Sequence, residues 1–149
     1  NNGLIALAAA IQAAGTATGL PGEAARLWDV GSECPNTPGL SVESDVTVFP
    51  SAEAAQTYLA DEGIRQAWLD TGAFTSYEIE GNVITARGAL PDYGGCGPAA
   101  LYAQVITHGR FTITALVIAA SSASEAEMVS VVETLNQYIA SKLDAAEIE

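Results

Sequence analysis

The chain has 149 residues, about the size of one domain, and 49% of them are apolar, so a real core can form. Eighteen acidic residues against five basic ones give a formal charge of −13. That balance repels phosphate backbones and anionic lipid, which argues against nucleic-acid and membrane-surface partners.

In chain order, "LIALAAAIQAA" (4–14) predicts an N-terminal helix with Leu4, Leu7, Ala8 and Ile11 on one side. It is too short to span a bilayer and has no basic flank, so no membrane insertion by this segment is expected. Residues 1–20 read as a peripheral helix and linker. The chain opens "NNG" without Met, as a processed chain does, so a signal peptide or lipid anchor upstream of Asn1 stays open. "PGEAARLW" (21–28) reads as a second short helix with Pro21 near its start. Residues 31–44 read as loop, punctuated by Pro35, Pro38 and Gly39.

"DVTVF" (45–49) alternates and predicts a strand. Ser51 is a natural N-cap for the helix that follows, with Glu53 in its first turn. Gly63 interrupts that helix, Ile64, Ala67 and Trp68 continue the pattern, and Gly72 ends it, as one kinked helix or two short ones. "FTSYEIEGNVITARGAL" (74–90) is a hairpin turning at Gly81-Asn82, with Glu80 opposite Val83. That register puts Tyr77, Ile79, Ile84 and Ala86 inward. Glu78, Glu80, Thr85 and Arg87 face outward, with Glu78 and Arg87 as diagonal neighbours.

A second hairpin (99–119) carries "THGR", with the turn expected at His108-Gly109 and Thr107 opposite Arg110. Both of its faces are largely apolar, which predicts a central strand pair covered on two sides. From Ser124 to Leu143 runs the strongest helix. Ser124 and Glu127 form a capping box. Met128, Val131, Val132, Leu135, Ile139 and Leu143 form an apolar stripe, and Lys142 sits in the last turn. "DAAEIE" (144–149) reads as a frayed acidic tail. Together these predict a single α+β domain over 1–149. Its antiparallel sheet has about five strands, and N-terminal, middle and long C-terminal helices pack on it.

The two cysteines, Cys34 in "SECPNTPG" and Cys96 in "YGGCGP", both lie in Gly/Pro-rich loops. Loop cysteines in so acidic a chain predict a Cys34–Cys96 disulfide and an extracytoplasmic setting: secreted, periplasmic or cell-surface. Two Cys and one His are too few for a zinc site, and His108 falls in a turn, so a Cys–His nucleophile has little support. "GCGPAA" (95–100) mimics a dinucleotide fingerprint but lacks the strand before it and the helix after it. No nucleophile elbow, P-loop or EF-hand loop occurs. Neither a metal nor a cofactor is implied.

Carboxylates remain: Glu43, Asp45, Asp61, Glu62, Asp70 and Asp92 lie near loops or element ends. With 18 acidic residues, chance pairs are certain, and a solvated surface explains them. Glu43 and Asp45 could bind calcium, but no spacing supports it. Tyr102 and Gln104 are more informative, because they share an otherwise apolar strand face and need partners once buried. Bonds to nearby backbone would satisfy them. The sharper reading is a small cavity between sheet and helix, with Trp68 and Tyr93 at its mouth.

"LWDVGSECPNTPGL", then "VTVFPSAEAAQTYL", and later "GRFTITALVIAASSASEAEMVSVVETLNQYIASKL" bear a likeness to known domains. Over roughly 24–59 and 109–143 the chain resembles small secreted or lipid-anchored bacterial domains, including sensor-type ectodomains. The resemblance implies a non-enzymatic α+β module outside the membrane. It carries over no catalytic residue, and the anchor cysteine is missing.

The sequence therefore predicts a non-catalytic extracytoplasmic binding or sensor domain whose partner is a small molecule or a protein. The alternatives are a protein-interaction or assembly module, using residues 4–14 to dock, and a carboxylate-only hydrolase acting on carbohydrate. In the hydrolase, two carboxyl groups should lie about 5–9 Å apart. Intact mass after alkylation tests the staple. Native protein should take up no alkylating agent until it is reduced, and free alkylation of both cysteines would remove the disulfide.

Overall fold

The computed structural model describes residues 24–29, 39–93, 95 and 97–145. The predicted helix at 4–14, Cys34 and Cys96 lie outside the described residues. Six strands form one sheet: β1 (Ala24–Asp29), β2 (Gly39–Val48), β3 (Phe74–Glu80), β4 (Val83–Leu90), β5 (Ala99–His108) and β6 (Phe111–Ala120). Three helices accompany them: α1 (Ala52–Leu59), α2 (Glu62–Asp70) and α3 (Glu125–Ala145). The spatial order is β1-β2-β6-β5-β4-β3, and every neighbouring pair is antiparallel. The chain is thus the expected α+β fold.

The connectivity follows from one crossing. After β2 the chain runs through α1 and α2 to the far edge of the sheet. It then returns as the meander β3-β4-β5-β6 until β6 lies beside β2. The central pair is β5 and β6. Along β5, Tyr102 joins Val42, Ala115, Val117 and the α3 residues Met128, Val131, Val132 and Leu135. Its neighbour Ala103 points the other way, into a cluster with Leu59 of α1, Tyr77, Ile84, Ala86 and Val105. Alternation along a strand puts these clusters on opposite faces, so the central hairpin is covered on both sides as its sequence predicts. Fully burying each large apolar side chain stabilises by about 1.5–3 kcal/mol before the entropy of ordering is counted.

The helix starts are those the sequence marks. Ser51 Oγ accepts from Ala54 N–H at 3.0 Å, and Ser124 Oγ accepts from Glu127 N–H at 3.1 Å. Asp61 caps α2 by accepting from Gly63 N–H at 2.7 Å, which divides the 51–72 segment into two helices. α3 extends to Ala145, so Asp144 belongs to the helix and not to a frayed tail.

Three expectations need correction. Residues 24–29 are a strand paired with β2, where the sequence predicted a helix over 21–28. Ala, Arg and Leu favour helix, but six residues are too few to hold one, whereas β2 offers a free edge. β2 itself begins at Gly39, inside the predicted loop. Its alternation is masked because Ser44, only 5% exposed, occupies an inward position between Val42 and Val46. Finally, the β5–β6 turn is Gly109-Arg110, with His108 opposite Phe111 and Thr107 opposite Thr112. Gly109 adopts φ 58°, and it takes the first central place just as Gly81 (φ 61°) does in the other hairpin. The first hairpin has the expected register, Glu80 opposite Val83, with a bulge near Phe74.

Gly88 fixes how the α2 segment meets the sheet. A Cβ there would lie 1.9 Å from the Ala73 carbonyl oxygen, which accepts from Ala89 N–H at 3.1 Å. Gly88→Ala should therefore push the 73–74 segment off the sheet and cost about 2–4 kcal/mol, read as a lower urea midpoint. An unchanged midpoint would mean that the segment yields freely.

Candidate functional site

Five aromatic residues lie on the α1–α2 face, and two of them, Tyr58 and Trp68, are on the helices. Phe49 and Tyr58 stack with ring centroids 5.0 Å apart. Trp68 lies 5.9 Å from Tyr77 in edge contact and 5.0 Å from Phe74. These distances suit offset and edge-to-face pairing. Tyr58 and Ile79 are the large hydrophobic residues left exposed among the described residues, at 39% and 40%. Ile79 was expected inward, and its register does place it on the inward-facing side. It sits near the sheet edge and the turn, where helix cover gives out.

Tyr77 is the focus of this surface. Its residue is 7% exposed, yet its hydroxyl is buried with no hydrogen-bond partner. Native interiors rarely leave such a group orphaned, because the lost hydration is not recovered. Burial pushes the phenol above its ordinary value. Tyr58 adds to the rise, Arg65 opposes it, and Glu62 adds again. The hydroxyl therefore keeps its proton and remains a hydrogen-bond donor.

α2 lies over this donor loosely. None of its residues is fully buried, and Ile64, Trp68 and Leu69 are only half-buried. The Glu62–Arg65 ion pair on its outer surface, 3.4 Å with both groups exposed, contributes little. A helix with so little buried surface belongs to the less stable part of a fold.

The four residues singled out by sequence are not brought together. Tyr102 and Gln104 face α3. Trp68 and Tyr93 lie on the opposite face, with Tyr93 packed on the Ala99, Leu101 and Ile118 cluster. Gln104 instead meets Asn136, whose Nδ2 donates to Gln104 Oε1 at 3.2 Å and sits 3.5 Å from its carbonyl. Asn136 is 1% exposed, and its Oδ1 has no partner. The helical spacing Val132–Asn136–Ile139 could have revealed it as a polar member of the apolar stripe. Burial raises the Tyr102 phenol too, while a hydrogen bond with Thr85 and the charge of Arg87 pull it down. Arg87 lies over the Tyr102 ring at 5.5 Å, 2.8 Å from Glu125 and 3.8 Å from Glu78. The Glu125 hydrogen bond holds its guanidinium more firmly protonated than usual.

The loop carboxylates have structural work. Asp92 accepts from Gly95 and Gly97 N–H at 3.2 and 2.7 Å, bracing the connection between β4 and β5. Asp45 accepts from Thr47, and Asp70 accepts from Gln66. Among the described residues, no three His, Cys, Asp or Glu side chains group to hold a metal ion, and no helix is long and apolar enough to cross a membrane. In comparisons with protein-family models, curated proteins and solved structures, the chain matches none.

Tyr77→Phe separates packing from function. Removing an unbonded buried hydroxyl should leave the melting temperature unchanged or raise it, whereas loss of a real hydrogen bond would cost about 1 kcal/mol. Because the folded-state value is raised, the wild type keeps a proton that the unfolded chain loses above about pH 10, so its stability falls as pH climbs past that point. Denaturant midpoints measured at neutral and alkaline pH should show a smaller alkaline loss in the variant. A lower melting temperature for Tyr77→Phe would instead assign the hydroxyl an internal partner.

Proposed function

We propose that this chain is a non-catalytic, extracytoplasmic binding domain for a small molecule with a flat apolar body and one hydrogen-bond acceptor. The observation that carries the reading is the orphaned Tyr77 hydroxyl, a donor set within an aromatic surface and roofed by a loosely held helix. Ligand sites typically combine a mostly apolar lining with a few placed polar groups. Trp68, Phe74 and Tyr77 supply the first, and the Tyr77 hydroxyl supplies the second. The net charge of −13 favours a neutral ligand over an anion. The extracytoplasmic setting rests on the acidity and on the expected Cys34–Cys96 bond.

Trp68 provides the readout once Trp28 is replaced by Phe. Quinolin-2-one, which carries a carbonyl acceptor, should quench Trp68 emission saturably. Naphthalene, which lacks the acceptor, should bind about fivefold more weakly, as expected for one net hydrogen bond. Tyr77→Phe should erase that difference. Absence of any saturable change in Trp68 emission with either probe would overturn the reading.

A further inference from the structure

A second feature stands apart from the aromatic surface. Among the described side chains, Arg65 pairs with Glu62, Arg87 pairs with Glu125 and Glu78, and His108 Nε2 lies 2.7 Å from Asp144 Oδ1. Arg110 and Lys142 have no carboxylate partner among the described residues, in a chain with 18 acidic residues. Both lie at one end of the molecule. Arg110 is the second residue of the β5–β6 turn, and Lys142 is in the last turn of α3. The His108–Asp144 contact ties those two elements together.

Arg110 is also held in place. Its guanidinium lies 5.7 Å from the centroid of the Phe111 ring, and Phe111 is 2% exposed and packed with Val46, Ile113 and Leu143. Its carbonyl accepts from Phe49 N–H at 2.8 Å, which anchors the turn. Its Nε is buried with no acceptor. Burial of Nε and the Phe111 ring hold the guanidinium in place, and Arg110 as a whole is only half-buried, so a fixed cation with no carboxylate partner among the described residues is left to meet an oxyanion from outside.

We infer that this end of the molecule binds a carboxylate, gripped by the guanidinium of Arg110, with Lys142, whose ammonium lies 5.5 Å from the centroid of the Tyr138 ring, adding only longer-range charge from α3. The fork of an arginine matches the two oxygens of a carboxylate. The rest of the chain repels multiply charged anions, which favours a monoanion over a phosphate. The cluster beneath the guanidinium has a half-buried apolar rim of Val48, Ile106, Ile139 and Ala140, so the carboxylate belongs on a molecule with an apolar body.

The test is a titration at low ionic strength that follows the Nε–Hε signal of Arg110 by NMR. Benzoate should move that signal saturably, whereas benzamide, its neutral counterpart, should not. Arg110→Lys keeps the charge but loses the fork, and should weaken benzoate at least about tenfold. Arg110→Gln should abolish binding, and Lys142→Gln should weaken it about two- to fivefold. Equal responses to benzoate and benzamide, or benzoate affinity unchanged in Arg110→Gln, would overturn the site. Saturation by inorganic phosphate at lower concentration than benzoate would overturn the carboxylate assignment. Should Arg110→Gln fail to fold, the wild-type comparison of benzoate with benzamide still decides.

Discussion

The structure depends on burying the β5–β6 pair on both faces. A strand pair with apolar residues on each side cannot be stable with one side wet, so the chain must supply cover twice. It does so with material from the two ends of the sheet. The α1–α2 segment crosses one face on its way from β2 to β3, and α3 folds back over the other after β6. The outer strands then complete a sheet whose centre is already decided. β3 carries Glu78 and Glu80 on its outward side, which suits an edge that must not pair with another chain.

The two covers are unequal. α3 buries Met128, Val131, Val132, Leu135 and Leu143, and carries one polar residue, Asn136, inward to Gln104. A polar pair inside an apolar interface favours the one alignment that joins it, because any other alignment strands both groups. On the other side, α1 contributes Leu59 and Ala55, while α2 contributes nothing fully buried. Gln56 of α1 donates to Thr107 at 2.8 Å, so polar contacts do part of the holding there. A firmly seated helix on one face and a lightly seated one on the other divide the molecule into scaffold and accessible surface. The orphaned Tyr77 hydroxyl lies on the lightly seated side.

Much of this was legible in the sequence, for reasons that can be named. Ser51, Ser124 and Gly72 mark helix ends through local chemistry, and Gly81-Asn82 sets a register by itself, so these survive into the fold. The two-sided burial of β5 and β6 follows from composition alone. What was hidden depended on distant partners. Residues 24–29 become a strand only because β2 has a free edge, and Ser44 breaks the pattern that would have extended β2 backward. The site was harder still. Tyr102 and Gln104 stand out as polar groups on a core face, but their true partners, Thr85 and Arg87 for Tyr102 and Asn136 for Gln104, come from other elements. Trp68 was identified, but without Tyr77, whose unpartnered hydroxyl can be seen only once the surrounding atoms are placed. Arg110 carries no signal in the sequence beyond its expected pairing with Thr107, because a missing partner leaves no trace in a linear chain.

The β5–β6 turn forms one residue later than the sequence suggested, so each β5 residue pairs two positions further along β6, with Tyr102 opposite Val117 and not Ala115, yet Tyr102 and Gln104 keep one face and Ala103 and Val105 the other. A pleat repeats every two residues, so a slip of two in the pairing changes every cross-strand partner and returns every side chain to the face it had. A single added residue has to be absorbed as a bulge, or it turns both faces inside out. Burial on two faces therefore decides which way each side chain of the hairpin points, while the turn glycine decides which residues meet.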